Sequence, residues 1–387
     1  VRQASFAERA LANVPRSLFI ERSPQPVTHG EPVLALCQRA LAEPVSASPL
    51  GELAAGAKRI AICVSDATRD EPRAEMLEAL LEIVPENRVT LVVAHGTHAP
   101  VPPTDAVIPR AFCDLPRVIH DGRREADLVD LGSTTRGTRV RIQRAVAEAD
   151  LVICTGRVRP HYFAGWSGGV KSVFPGCAHA DDILHNHRLK TDPSARLGRT
   201  DDNVCRLDME EAAARVPGRL FMLSVLCDID GNPVAAAAGD PIRAHRTLGE
   251  RAHALFTVRA PRSRVVCVAD RPPVTSSLYQ ASKLAPPAGA ILEPGGSVIV
   301  IADCSEGTGP LERVNLGIYE IGIRPQLPTE HRIFLHSTLD PSTVAQTYAT
   351  PASDLCATME AELRRTGAER AVLLWRAGEC LAVADET

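Results

Sequence analysis

No apolar run in the chain approaches the roughly 20 residues that a helix needs to cross a bilayer, which excludes a helical membrane protein. The first twenty residues hold Arg2, Glu8, Arg9 and Arg16 around no apolar core, so export is not expected. Positive charge is not in excess. Lys and Arg number 43 against 47 Asp and Glu, a net charge of -4, so a nucleic-acid backbone is not the expected partner. The 11 cysteines form no C-x-x-C pair, and this odd, evenly spread set fits buried reduced thiols in a cytoplasmic protein better than a disulfide frame or zinc knuckle. Neither a G-x-x-x-x-G-K-[ST] loop nor a G-x-G-x-x-G turn is present, and there are no repeats. Lysine is scarce: only residues 58, 171, 190 and 283 are lysine, the other basic residues being arginine. Each lysine is therefore mildly informative, because a primary amine does chemistry that a guanidinium cannot.

What is present suits a globular protein. A length of 387 residues accommodates two domains, with 45% apolar and 23% charged residues. Short β-rich runs at 59–65, 89–94, 150–155, 220–227, 264–269, 297–302 and 370–375 alternate with helical patterns at 31–42, 73–84, 201–215, 241–256, 275–284 and 353–365. Alternation predicts α/β layers with mostly parallel sheets. Arg259, Pro261, Arg262 and Arg264 precede a fresh strand and put a domain boundary near 260, giving domains 1–260 and 261–387, with the last strand free to pack back on the first domain.

Ligands of open α/β sheets gather at the carboxyl ends of strands, where three dense segments fall. Ser65-Asp66-Ala67-Thr68-Arg69 could hold a ribose hydroxyl and a phosphate, or simply cap a helix. His95-Gly96-Thr97-His98 offers a general base, a ligand or a satisfied polar group, and spacing alone does not choose. Pro160-His161-Tyr162-Phe163-Ala164-Gly165-Trp166-Ser167-Gly168-Gly169-Val170-Lys171 combines small residues, which let backbone amides approach an anion, with one of the four lysines. His179, Asp181, Asp182, His185 and His187 cluster within nine residues, which by itself also admits a metal-dependent hydrolase; the spacing fits no standard zinc pattern. Gln280 and Lys283, three apart after Tyr279, share a helix face suited to a carboxylate.

Together these segments, with Asn186-His187, Pro175-Gly176 and Ala302-Asp303-Cys304-Ser305-Glu306-Gly307, resemble the lactate racemase family over residues of about 60 to 310. Its members are nickel-pincer-dependent 2-hydroxyacid racemases and epimerases. The resemblance implies an isomerase with its active site in the cleft between two α/β domains, and a cofactor that is a pyridinium mononucleotide binding nickel through one carbon and two sulfurs. It implies Lys171 as the residue joined to the cofactor, His187 as the nickel ligand, and His98 and His161 as the acid/base pair. It further implies Asp66, Thr68, Arg69, Ser167, Gly168 and Gly169 as cofactor contacts, and Tyr279, Gln280 and Lys283 as the grip on a small 2-hydroxy acid. Cofactor-maturation enzymes are implied as partners. Hydride transfer avoids deprotonating a carbon beside a carboxylate and passes through a planar 2-keto acid. Two departures stand out: Asp70 lies where the family usually has proline, and Ala99 where arginine is common.

Overall fold

A computed structural model describes residues 4–28 and 30–386; residues 1–3, with Arg2, and residues 29 and 387 of the expected domains lie outside the described residues. The fold is α/β, and the chain divides into two compact units. One is Pro26–Ala254; the other joins the N-terminal segment up to Gln25 with the chain from Leu255 onward.

In the 26–254 unit the sheet order is Pro233–Gly239, Arg219–Cys227, Leu151–Val158, Ile60–Ser65, Val89–Ala94, Arg117–Ile119. All neighbours are parallel except the first pair. Strands buried on both faces read as continuous apolar runs, as Ile60-Ala61-Ile62-Cys63-Val64 does. Ile60, Ile62, Val64, Leu91, Val93, Ile153, Phe221 and Leu223 face a core with Leu41, Met76, Leu77 and Leu80 of the helices Val33–Ala42 and Arg73–Leu81. The short turn of helix Gly169–Ser172 packs near Leu151–Val158 and the helix Val204–Ala213.

The other unit holds an all-parallel sheet ordered Phe19–Arg22, Ala371–Trp375, Ser263–Ala269, Leu292–Ile301, His331–His336, Thr350–Pro351. One face packs on the segments around Leu278–Ala281 and Arg313–Ile323, the other on Phe6–Ala12 and Leu355–Thr366. Thus the N-terminal segment, assigned by sequence to the first domain, builds an edge strand of the second sheet. The last strand, Leu381–Ala384, pairs with Thr257–Ala260, which precedes the expected boundary but belongs to the same unit.

All seven expected strands and all six expected helices are present, with shifted ends. The helix expected from 275 begins only at Leu278, because Ser277 is extended at φ -139° and serves as its N-cap. The strand expected to stop at 155 continues to Val158 because Arg219–Cys227 pairs with it that far. Among the described residues no helix is long and apolar enough to cross a membrane, and all eleven cysteines are unpaired.

The turn after Arg219–Cys227 is secured by the buried Asp228. Its Oδ1 accepts from the amides of Asp230 (2.9 Å) and Asn232 (2.8 Å), its Oδ2 from Val27 N–H (2.8 Å) and Asn232 Nδ2 (2.9 Å). Burial pushes this carboxyl upward, but the hydrogen bonds outweigh it and hold the group below the usual carboxylate range. Asp228→Ala should therefore lower the unfolding free energy at neutral pH by about 3 kcal/mol, read from urea denaturation. The gap between the two proteins should narrow as pH falls from about 4 through the depressed folded value, where the carboxylate loses its charge in both states.

Candidate active site

Strands Leu151–Val158, Ile60–Ser65 and Val89–Ala94 are consecutive in the parallel sheet, so the segments after their carboxyl ends emerge side by side, at an interstrand spacing of about 4.8 Å. The segment after Ser65 is folded back by Arg73, whose guanidinium donates to the carbonyls of Ser65 (3.2 Å), Asp66 (2.6 Å), Arg69 (2.7 Å) and Ala106 (3.1 Å). Asp66 is thereby held in the interior. Its Oδ1 accepts from the amide (3.0 Å) and hydroxyl (2.6 Å) of Thr68, and its Oδ2 lies 2.6 Å from His98 Nδ1 and 3.8 Å from His95 Nδ1. Burial raises the carboxyl, but hydrogen bonds from His98 and Thr68 and the charges of His98 and Arg69 overcome this and bring it down to about 2. Thr68 and Arg69 themselves are exposed.

The second segment turns through Gly96 at φ +55°, a conformation natural to glycine, with His98 N–H bonded to His95 O (2.9 Å). Gly96 N–H donates to Gly176 O (2.8 Å), which links this loop to the third. His95 is buried, and burial foremost pushes its imidazole down.

In the third segment a single side chain organises the site. The buried Phe163 ring meets His161 edge-on at 4.6 Å and His187 at 4.8 Å, and Lys171 Nζ stands 5.7 Å from its centre. Its carbonyl is pinned by Asn203 Nδ2 (2.8 Å), while Asn203 Oδ1 caps the helix Val204–Ala213 by accepting from Arg206 N–H (3.0 Å). His187 sits in the last turn of Ala180–Arg188, a helix capped by His179 and anchored by Asn186, which donates to Cys205 O (3.1 Å) and Asp208 (2.8 Å). Thus Lys171, His161 and His187 are brought to one ring. Ser167 is engaged with backbone: its hydroxyl donates to Arg157 O (2.6 Å) and accepts from Arg159 N–H (3.0 Å). Gly168 and Gly169 lie at φ +76° and +64°, and a Cβ on Gly169 would stand 2.8 Å from Arg206 Nη2.

Lys171 is half-buried as a residue, yet its amine is desolvated, which with the positive charges of Arg206 and Arg69 lowers it to about 7. Arg206 is wholly buried; Nε meets Glu210 (2.7 Å), Nη1 donates to Trp166 O and Gly168 O, and Nη2 has no hydrogen-bond partner among the described residues. Sequence reasoning missed Phe163, Asn203 and Arg206 as site-builders. Phe163 lay within the singled-out stretch, but an arginine in an arginine-rich chain carries no signal.

The His/Asp cluster at 179–187 does not converge. His179 Nδ1 accepts from Asp181 N–H, Asp182 pairs with Arg141 at 2.6 Å, and His185 reaches Arg136 O. Among the described residues no three His, Cys, Asp or Glu stand together to hold a metal ion, so the hydrolase reading has no support. In the other unit, Lys283 Nζ donates to Gln280 Oε1 (2.7 Å) and lies 4.7 Å over the Tyr279 ring, so these three residues form one group. The loop Cys304–Thr308 is zipped to them by Leu278 N–H to Gly307 O and Tyr279 N–H to Thr308 O.

The fold and these groups define an α/β protein with a cationic, imidazole-rich site at the carboxyl ends of parallel strands. Residues 10–198 match the family described as "Lactate racemase N-terminal domain". The lactate racemase of Thermoanaerobacterium thermosaccharolyticum is 32% identical over 289 residues, 71% of this chain and 66% of that protein. The lactate racemase of Lactiplantibacillus plantarum is 31% identical over 283 residues, 70% and 66% of the two chains. The aligned stretch thus spans just under two thirds of these relatives. The solved lactate racemase apoprotein from T. thermosaccharolyticum superposes with a TM-score of 0.84 at 25% identity, covering 97% of both chains. A Thermotoga maritima protein shares the fold at TM-score 0.68 and 13% identity, over 93% of this chain and 100% of that one. The chain belongs to the lactate racemase family.

The lowered amine has a direct chemical consequence. In competitive acylation with limiting reagent, Lys171 should gain reactivity with a midpoint near pH 7, far below the ordinary lysine value of about 10.4, as peptide mass spectrometry across pH would read. A midpoint near 10 would count against a desolvated amine.

Proposed function

We propose that this chain is a racemase or epimerase of a 2-hydroxy acid that works with a nickel pincer nucleotide joined to Lys171. The observation that carries the reading is the convergence of Lys171, His187 and His161 on the Phe163 ring. The residues fit the group. An amine lowered to about 7 is about half neutral at neutral pH, and that unprotonated share is available as a nucleophile, which an ordinary surface lysine scarcely offers. His187, which meets the same Phe163 ring, would supply the nitrogen donor to the nickel. The buried Arg206, with Nη2 unpaired, adds a cation behind the Gly168-Gly169 turn, where an anionic nucleotide would be welcome. The resemblance assigns Ser167, Gly168, Gly169, Thr68 and Arg69 to the same cofactor, and the charge of Arg69 acts on the Lys171 amine. Asp66 reaches it through His98.

When bound, the cofactor supplies a hydride acceptor for the substrate's α-hydrogen, so that the α-carbon becomes planar in a 2-keto acid. The chain's own part is proton management and grip. His98 and His161 exchange the hydroxyl proton, each serving one hand of the substrate. The Lys283 ammonium and the Gln280 amide, already bonded to each other beside Tyr279, form a donor group matched to a carboxylate.

Co-expression with the cofactor's maturation enzymes should yield a protein with a mass adduct on Lys171 and bound nickel, and Lys171→Arg should carry neither adduct nor activity. Protein lacking both adduct and nickel after such co-expression would sink the assignment. His98→Asn and His161→Asn should keep the adduct and lose racemisation of a 2-hydroxy acid by about 10² to 10⁴-fold, followed by chiral chromatography.

A further inference from the structure

The two acid/base imidazoles are wired differently. His98 Nδ1 stands 2.6 Å from Asp66 Oδ2, and the other carboxylate oxygen is occupied by the amide and hydroxyl of Thr68. Thr68 donates to this carboxylate twice, His95 Nδ1 stands off at 3.8 Å, and the group is held ionised with its carboxyl at about 2, so it has no proton to give. The hydrogen between the two residues therefore belongs to Nδ1, and the neutral His98 ring carries its lone pair on Nε2. At His161 the polarity is reversed. The Ala164 amide N–H donates to His161 Nδ1 at 3.3 Å, so Nδ1 holds the lone pair and the neutral ring carries its hydrogen on Nε2.

We propose that the two histidines rest in opposite tautomers, His98 as a proton acceptor through Nε2 and His161 as a hydrogen donor through Nε2, and that Asp66 is the positioning residue that sets the first. The catalytic meaning rests on the racemase reading; the tautomers do not. A substrate hydroxyl facing His98 meets a base at once, whereas one facing His161 requires the Ala164 amide bond to break first. Interconversion of enantiomers has an equilibrium constant of one, so kcat/KM is equal in both directions, and the asymmetry must appear in kcat and KM separately.

Long-range ¹H–¹⁵N correlation of the ¹⁵N-histidine chain without cofactor reads the tautomers directly, with single His98→Asn and His161→Asn variants assigning the two rings. His98 should appear protonated at Nδ1 and His161 at Nε2. In Asp66→Asn the amide can present N–H to Nδ1, so the His98 pattern should mix or invert while His161 keeps its own. On the loaded enzyme the same variant should retain the Lys171 adduct and nickel, hold KM nearly constant and lose kcat by up to about 10⁴-fold, the scale known for a carboxylate-to-amide change behind a catalytic histidine. A wild-type His98 protonated at Nε2, or an Asp66→Asn enzyme with unchanged pattern and kcat, overturns the inference. The wild-type spectrum decides the tautomers even if the variant does not fold. Expected tautomers in a protein that never acquires the adduct would instead leave the inference standing and remove the racemase reading.

Discussion

Parallel pairing of three neighbouring strands is the constraint on which the site depends. Ile60–Ser65 lies between Leu151–Val158 and Val89–Ala94, with Cys63 in register with both Cys154 and Val92. Parallel strands leave the sheet in the same direction, so the chain after each must begin its return over the same edge. Residues far apart in sequence, such as Asp66 and His98, meet because their strands end level, Ser65 opposite Ala94. The Gly96-to-Gly176 backbone bond then ties the second loop to the third.

Given that placement, burial decides the chemistry. A lysine amine at a surface keeps its proton, but one taken out of water near the fully buried Arg206 holds it far less tightly. Arg206 is itself stabilised by Glu210, which also accepts from Arg246 at 2.8 Å. Arg246 is also paired with the exposed Asp201 at 2.6 Å, so Glu210 is the carboxylate that the buried Arg206 relies on. Removing Glu210 would strand a buried cation, a costly change, so the glutamate supports the electrostatics of the site without lying in it.

Much of this is legible in the amino-acid sequence, and the reason is local. Strands buried on both faces announce themselves as apolar runs, and the dense segments after residues 65, 94 and 158 mark the strand ends. Lys171 and Lys283 stand out only because arginine is used nearly everywhere else. What sequence does not carry is long-range pairing. Phe19-Ile20-Glu21-Arg22 has no strand pattern of its own and becomes a strand through Ala371–Trp375, some 350 residues on. Asp66 reads as a contact for a sugar because of its position after a strand, and what spacing does not announce is that its oxygens also meet Thr68 and His98. Its partner is set by sheet register, which no spacing encodes. The histidine cluster at 179–187 misleads in the opposite way: a helix turns about 100° per residue and points its members apart, one capping, one toward Arg136 and one toward Phe163.

The aspartate at position 70 shows which contacts hold the first loop in shape. Asp70 Oδ2 lies 3.5 Å from Arg157 Nη1, but its side chain is 88% exposed, and an ion pair so open to solvent contributes at most about 1 kcal/mol. Arg157 is secured elsewhere, by a 2.7 Å bond from Nη2 to Asp228 O, and its carbonyl accepts from Ser167. The loop, for its part, is held by three backbone carbonyls on the buried Arg73 and by Glu71, whose Oε1 accepts from Ser65 Oγ at 2.9 Å. Charged donors bonded in the interior are worth about 1.5 to 3 kcal/mol each, so they dominate the open pair at Asp70. The turn that delivers Asp66 to His98 is therefore fixed from beneath, by a guanidinium at the start of the next helix, rather than by the open ion pair at residue 70.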